Sequence, residues 1–171
     1  MDERQHILSK LDGLEGASEE TVAELARSFD LRQYSGIELC REGSDADRLW
    51  VLGSGHVTVI RTLSTGRPCD VARLSGTTLV GFSGLVGVPK RSATLKADGQ
   101  VEVLEISTED AVALLESDGS PAASAFRRVL ISAVARQVAT TNTNIAKLAV
   151  DLGLAQSGVT EETLLSTITL H

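Results

Sequence analysis

The chain predicts a mainly β fold, an antiparallel jelly roll or barrel with N-terminal helices and a long C-terminal helix, on three observations. Between Tyr34 and Ile106 apolar residues come in short alternating runs broken by glycine: Ile37/Leu39, Leu49/Val51, Val57/Val59, Val71, Val80/Phe82, Leu95 and Val101/Val103. Many short strands at regular spacing close into a small sandwich or barrel. On either side of this region the apolar spacing is helical.

Ser18 is placed to cap the first amphipathic helix, with Glu19 and Glu20 in the acidic first turn and Val22, Leu25, Ala26 and Phe29 on one face. Trp50 alternates with its neighbours and reads as core, and Gly53-Ser-Gly55 reads as a sharp connection between strands. After the β region, Ser107-Thr-Glu-Asp110 has the form of a capping box opening a helix over Thr108–Leu115. Asp118-Gly-Ser-Pro121 breaks that helix, and Pro121 suits the first position of another. In this last helix Val134, Val138, Thr141, Ile145, Leu148 and Leu152 recur at alternating four- and three-residue steps, an a/d seam. Such a seam packs either on a second copy or on the chain's own barrel. Gly153 is expected to end the helix, and Thr160–Leu165 adds at most a short amphipathic turn or two. The domain organisation expected is 1–31 helical lead-in, 32–119 β-roll, 120–152 C-terminal helix and 153–171 tail.

The segment Gly81–Ala97, GFSGLVGVPKRSATLKA, carries the chemistry. Gly81, Ser83 and Gly84 let backbone N–H groups converge at the start of a one-turn helix, and unpaired donors of that kind suit an anion. Arg91 follows, with the guanidinium fork that matches a phosphate; the alternative is a solvated arginine at a strand end.

This segment resembles the phosphate-binding cassette of the cyclic-nucleotide-binding domain family, the module of catabolite-activator-type regulators, cyclic-nucleotide-dependent kinases and gated channels. The resemblance runs from about Ile7 to Leu148. Ile7–Leu14 with Ser18–Leu31 resembles the helical lead-in, and Tyr34–Leu39 followed by Arg41–Ser44 the first hairpin. Leu49–Ile60 resembles the strand–glycine–strand signature, and Arg91-Ser92-Ala93-Thr94 the end of the cassette.

The resemblance implies that Gly81, Phe82, Ser83, Gly84, Leu85, Arg91, Ser92 and Ala93 line a site for cAMP, cGMP or a cyclic dinucleotide. It implies base contacts from Thr140, Thr141 and Asn144, although these residues equally suit solvent exposure or the setting of a dimer register. It also tips the seam toward a homodimer through Val134, Val138, Thr141, Ile145 and Leu148. One position departs. Where the family has a glutamate that holds the ribose 2′-hydroxyl, this chain has Phe82. A charged hydrogen bond is worth roughly 1.5–3 kcal/mol, or about one to two decades of affinity, and phenylalanine cannot accept it. The pocket then binds a nucleotide more weakly, binds another ligand, or stays empty.

A net charge of −7 and a pI near 5.0 disfavour a nucleic-acid partner. No basic recognition helix is visible, and the stretch beyond Leu152 is too short for the DNA-binding domain that follows the sensor in related transcription factors. Cys40 and Cys69 form no metal or redox motif and are expected as reduced core thiols. His6, His56 and His171 are scattered, so no metal is expected, and no nucleophile–base pattern marks an enzyme. No apolar run is long enough for a membrane span, and a cytoplasmic location is expected. Three functions remain: a dimeric sensor that signals to a protein partner, a degenerate fold that binds no nucleotide and serves as a protein-interaction domain, and, ranked below both, an enzyme with an unrecognised site.

Overall fold

Eight strands form two antiparallel sheets in a computed structural model that describes residues 1–151. Strands β1 (Asp30–Ser35), β8 (Gln100–Ser107), β3 (Arg48–Ser54) and β6 (Thr78–Val80) make the first sheet, in that order. The second runs β2 (Glu38–Cys40), β7 (Thr94–Ala97), β4 (His56–Thr62) and β5 (Pro68–Ser75). This is the jelly-roll class predicted above. Trp50 and Leu52 of β3, Val57 of β4, Leu95 and Ala97 of β7, and Val101 and Val103 of β8 bury their side chains together in the core. Each large side chain so buried contributes roughly 1.5–3 kcal/mol.

The chain crosses from the first sheet to the second at Gly55, where φ is +82° and a Cβ would lie 2.5 Å from the Gln100 carbonyl. Only glycine fits there, which explains the sharp connection read from Gly53-Ser-Gly55. Val71, expected as an alternating strand position, is 49% exposed: β5 bulges there, and Val71 is left unpaired between Asp70 and Ala72, which face Ile60 and Val59 of β4.

Helix α1 spans Glu3–Leu8 and α2 spans Glu19–Ala26, capped by Ser18 as read. Two readings of the lead-in need correction. The helix does not continue to Leu31, because Asp30–Ser35 pair with Gln100–Glu105 and strand pairing overrides the helical spacing. Leu11 and Leu14 are buried without being helical. Nor do Tyr34–Leu39 form a hairpin: β1 pairs with β8 and β2 with β7, so the turn at Gly36 carries the chain between sheets and leaves Ile37 56% exposed. Helix α3 (Thr108–Glu116) is capped by Ser107, whose hydroxyl accepts from the Asp110 N–H and donates to the Asp110 carboxylate.

Helix α4 begins at Pro121 and runs to Asp151. The chain divides into two compact units, Met1–Leu130 and Ile131–His171. In the first, Ala122, Ala123, Ala125, Phe126 and Val129 of α4 are buried. The expected helix end at Gly153, the seam position Leu152 and the tail lie outside the described residues. Among the described residues, no helix is long and apolar enough to cross a membrane.

Candidate functional site

The cassette begins as the sequence suggests. Gly81 sits at φ +75°, a 3-10 helix covers Phe82–Val86, and Gly87 ends it at φ +82°. Gly84 is required by packing, since a Cβ there would lie 2.6 Å from the Ala46 carbonyl. Phe82 is half-buried at the first position of the short helix and presents a ring where the resemblance calls for a carboxylate. Ser83 and Leu85 are half-buried beside it, and the Ser83 carbonyl accepts from the Gly87 and Val88 N–H groups.

The far limb of the cassette is stapled to the loop before β3. The Ala46 N–H donates to Pro89 O, the Arg91 N–H to Ser44 O, and the Gly43 N–H to Arg91 O. Between them Lys90 pairs with Asp45 at 2.6 Å. Ser92 is exposed, and Ala93 is half-buried, its carbonyl 3.9 Å from the Cys40 sulfur.

Arg91 is not a solvated strand-end arginine. It is 4% exposed. Its Nη1 donates to the Gly81 carbonyl at 2.8 Å, and its Nη2 donates to the Arg48 carbonyl at 2.6 Å and to Asp47 Oδ1 at 3.4 Å. The guanidinium carbon lies 4.9 Å from the centre of the Trp50 ring, within cation–π range. Nε is buried without a partner. The structure therefore brings Gly81 and Arg91 together, but it turns the fork onto the chain's own carbonyls.

The surroundings fit this arrangement. Hydrogen bonding to Arg48, with the charges of Arg48 and then Arg91 behind it, holds the Asp47 carboxyl below its ordinary range despite some burial. Burial pushes the Cys40 thiol up, against the pull of the Arg91 charge. Cys40 and Cys69 are both free thiols and half-buried; Cys40 packs against the core as expected, whereas Cys69 lies on β5 outside that cluster.

Both Nη atoms of Arg91 donate to carbonyls of the chain itself, and the Phe82 side chain carries no hydrogen-bond acceptor.

Sequence reading missed Asp47, Arg48 and Glu105, and saw Trp50 only as core. Trp50 and Glu105 are cross-strand neighbours in register, and no local motif announces that pairing.

Thr140, Thr141 and Asn144 belong to the second unit and are exposed. The Thr141 hydroxyl donates to the Gln137 carbonyl of its own helix at 2.9 Å. Val138, Ile145 and Leu148 are 54%, 53% and 56% exposed, and Val134 is half-buried. Ile131, one heptad before Val138, is 68% exposed and extends the seam beyond its predicted start.

Residues 34–118 match the cyclic nucleotide-binding domain family. The N-terminal domain of a transcriptional regulator from Streptomyces coelicolor is 28% identical, with a TM-score of 0.62 over 80% of this chain and 94% of that one. The catabolite activator protein of Thermus thermophilus is 26% identical, with a TM-score of 0.66 over 82% of this chain and 62% of that one. A cyclic nucleotide-binding domain from Methylobacillus flagellatus shares the fold at 21% identity and a TM-score of 0.66, over 77% of this chain and 75% of that one. No curated protein matches the chain.

Proposed function

Because residues 34–118 belong to the cyclic nucleotide-binding domain family, we propose that this chain is a non-enzymatic regulatory module whose cassette is closed by its own groups. In this reading it acts in the cytoplasm as a homodimer and passes its state to a protein partner without a bound nucleotide. The observation that carries it is Arg91, whose fork is spent on the Gly81 and Arg48 carbonyls. Phe82 supports it by removing the ribose acceptor.

The dimer is supported by the exposed stripe of Ile131, Val138, Ile145 and Leu148, a surface that soluble monomers rarely leave open. β-Branched residues at Ile131, Val138 and Ile145 on one set of core positions are the choice that favours two strands, and Val134, Thr141 and Leu148 fill the other set. A self-complementary pair is the commonest closed assembly.

One observation favours a second reading. The buried, unpartnered Nε of Arg91 is a donor that an anionic oxygen would satisfy. In that case cAMP, cGMP or a cyclic dinucleotide displaces one of the two carbonyls and the module is a nucleotide sensor. Calorimetry of the native protein and Arg91→Ala with cAMP, cGMP and cyclic di-GMP separates the readings. Absence of binding is the expected result. Uptake of any of the three that Arg91→Ala abolishes overturns the closed cassette.

A further inference from the structure

The Trp50 ring is fixed from behind. It is wholly buried, and its Nε1 donates to Glu105 Oε2 at 2.7 Å. The same oxygen accepts from the Tyr34 hydroxyl at 2.6 Å, and Oε1 accepts from Arg48 Nη1 at 3.1 Å. Glu105 thus ties β1 and β3 to β8 and leaves the indole no freedom to turn. On the other side, a Cβ at Gly81 would lie 2.8 Å from the Trp50 ring and 2.9 Å from Arg91 Nη1. Gly81, Trp50 and Arg91 are therefore in close mutual contact, and the arginine is held against the ring by three acceptors that all belong to the chain.

We infer that Trp50, locked by Glu105, is the specificity-determining residue of this cassette: its ring holds Arg91 in the internal arrangement and so denies the fork to an anion. The inference deepens the closed-cassette reading and rests on it. Loss of Arg91 from the ring requires a cation to leave a desolvated aromatic face while two carbonyls lose their donor, and neither is cheap in a buried setting. A smaller or unlocked residue at position 50 makes Arg91 available to a phosphate-like oxygen.

The test follows the Arg91 Nε–H resonance in uniformly 15N-labelled protein, with the buried Leu104 backbone N–H as internal reference. In native protein the Arg91 proton is expected to be ring-current shifted and slow to exchange. Trp50→Phe keeps a ring but loses the bond to Glu105, and its Arg91 proton is expected to exchange roughly tenfold faster relative to Leu104, about 1.4 kcal/mol. Trp50→Leu loses the shift as well, and inorganic phosphate then moves the Arg91 signal, which it leaves unmoved in native protein.

Glu105→Met, which is close in size and carries no oxygen to accept from the indole, serves if Trp50→Leu does not fold, with the same relative acceleration expected. Exchange at Arg91 that rises no more than at Leu104 in the folded variants overturns the role of Trp50, because a merely structural loss accelerates both protons equally. Should cAMP shift the Arg91 signal in native protein, the closed-cassette reading falls, while the exchange ratios still decide whether Trp50 holds the arginine.

Discussion

Helix α4 carries two surfaces of opposite character along one continuous run of backbone. In its first turns Ala122, Ala123, Ala125, Phe126 and Val129 are buried, and Phe126 meets Phe29 edge-on at 6.0 Å and 76°. Arg127 donates to the Leu115 carbonyl, and Arg128 Nε donates to the Gly13 carbonyl at 3.1 Å. From Ile131 onward the large apolar residues Ile131, Val138, Ile145 and Leu148 are each more than half exposed. The same helical periodicity therefore has two outcomes: alanines, Phe126 and Val129 anchor the first stretch, while branched residues at heptad spacing leave the second with an exposed apolar stripe. The cassette resembles the anchored stretch, since both Nη atoms of Arg91 donate to the chain's own groups.

Phe126→Ala strikes the anchored stretch hardest. Loss of a buried ring typically costs 3–5 kcal/mol, and urea unfolding followed by Trp50 fluorescence is expected to show a loss of that order. Next comes Arg91→Ala, which strips donors from the Gly81 and Arg48 carbonyls, each worth about 1–3 kcal/mol when left unsatisfied. If the variant instead proves as stable as native protein, Arg91 is not the strut described above. Ser107→Ala removes the cap of α3 and is expected to lower the unfolding free energy by about 1 kcal/mol.

A smaller effect is expected with pH. Burial, then the hydrogen bond and charge of Glu105, raise the Tyr34 phenol above its ordinary value of 10.0. The unfolded chain releases that proton first, so this share of stability is full below pH 10 and declines as pH rises through the unfolded and then the folded value. Tyr34 is the chain's one tyrosine, so tyrosinate absorbance reads the group directly, and Tyr34→Phe is expected to flatten that part of the alkaline profile.

The seam gives the least change in the fold itself and the greatest in assembly. Ile145→Asp with Leu148→Asp alters exposed positions, so the unfolding free energy in dilute solution is expected to change by no more than about 0.5 kcal/mol. Analytical ultracentrifugation is expected to show a native dimer and a monomeric variant. A native protein already monomeric at micromolar concentration breaks the comparison, for then the exposed stripe serves no second copy.

Much of the architecture was legible locally. Caps at Ser18 and Ser107, the turn glycines at 55 and 81, the short helix after Gly81 and the start of α4 at Pro121 each depend on residues a few positions apart. The errors lie where a distant strand intervened. Asp30 and Leu31 continue a helical spacing but pair with Glu105 and Leu104, and Gly36 looks like a hairpin turn but joins two sheets.

The sequence by itself determined which residues alternate, which cap and which turn, because those preferences belong to a residue and its near neighbours. It also determined that position 82 holds no ribose acceptor. Only the tertiary structure decided where Arg91 points. Its partners Asp47, Arg48 and Trp50 lie on the far side of the β4–β5 excursion in the chain, and Glu105, which fixes Trp50, reaches it only through the register of β3 and β8. An arginine fork takes whatever acceptors surround it, and in this chain packing surrounds it with the protein's own carbonyls.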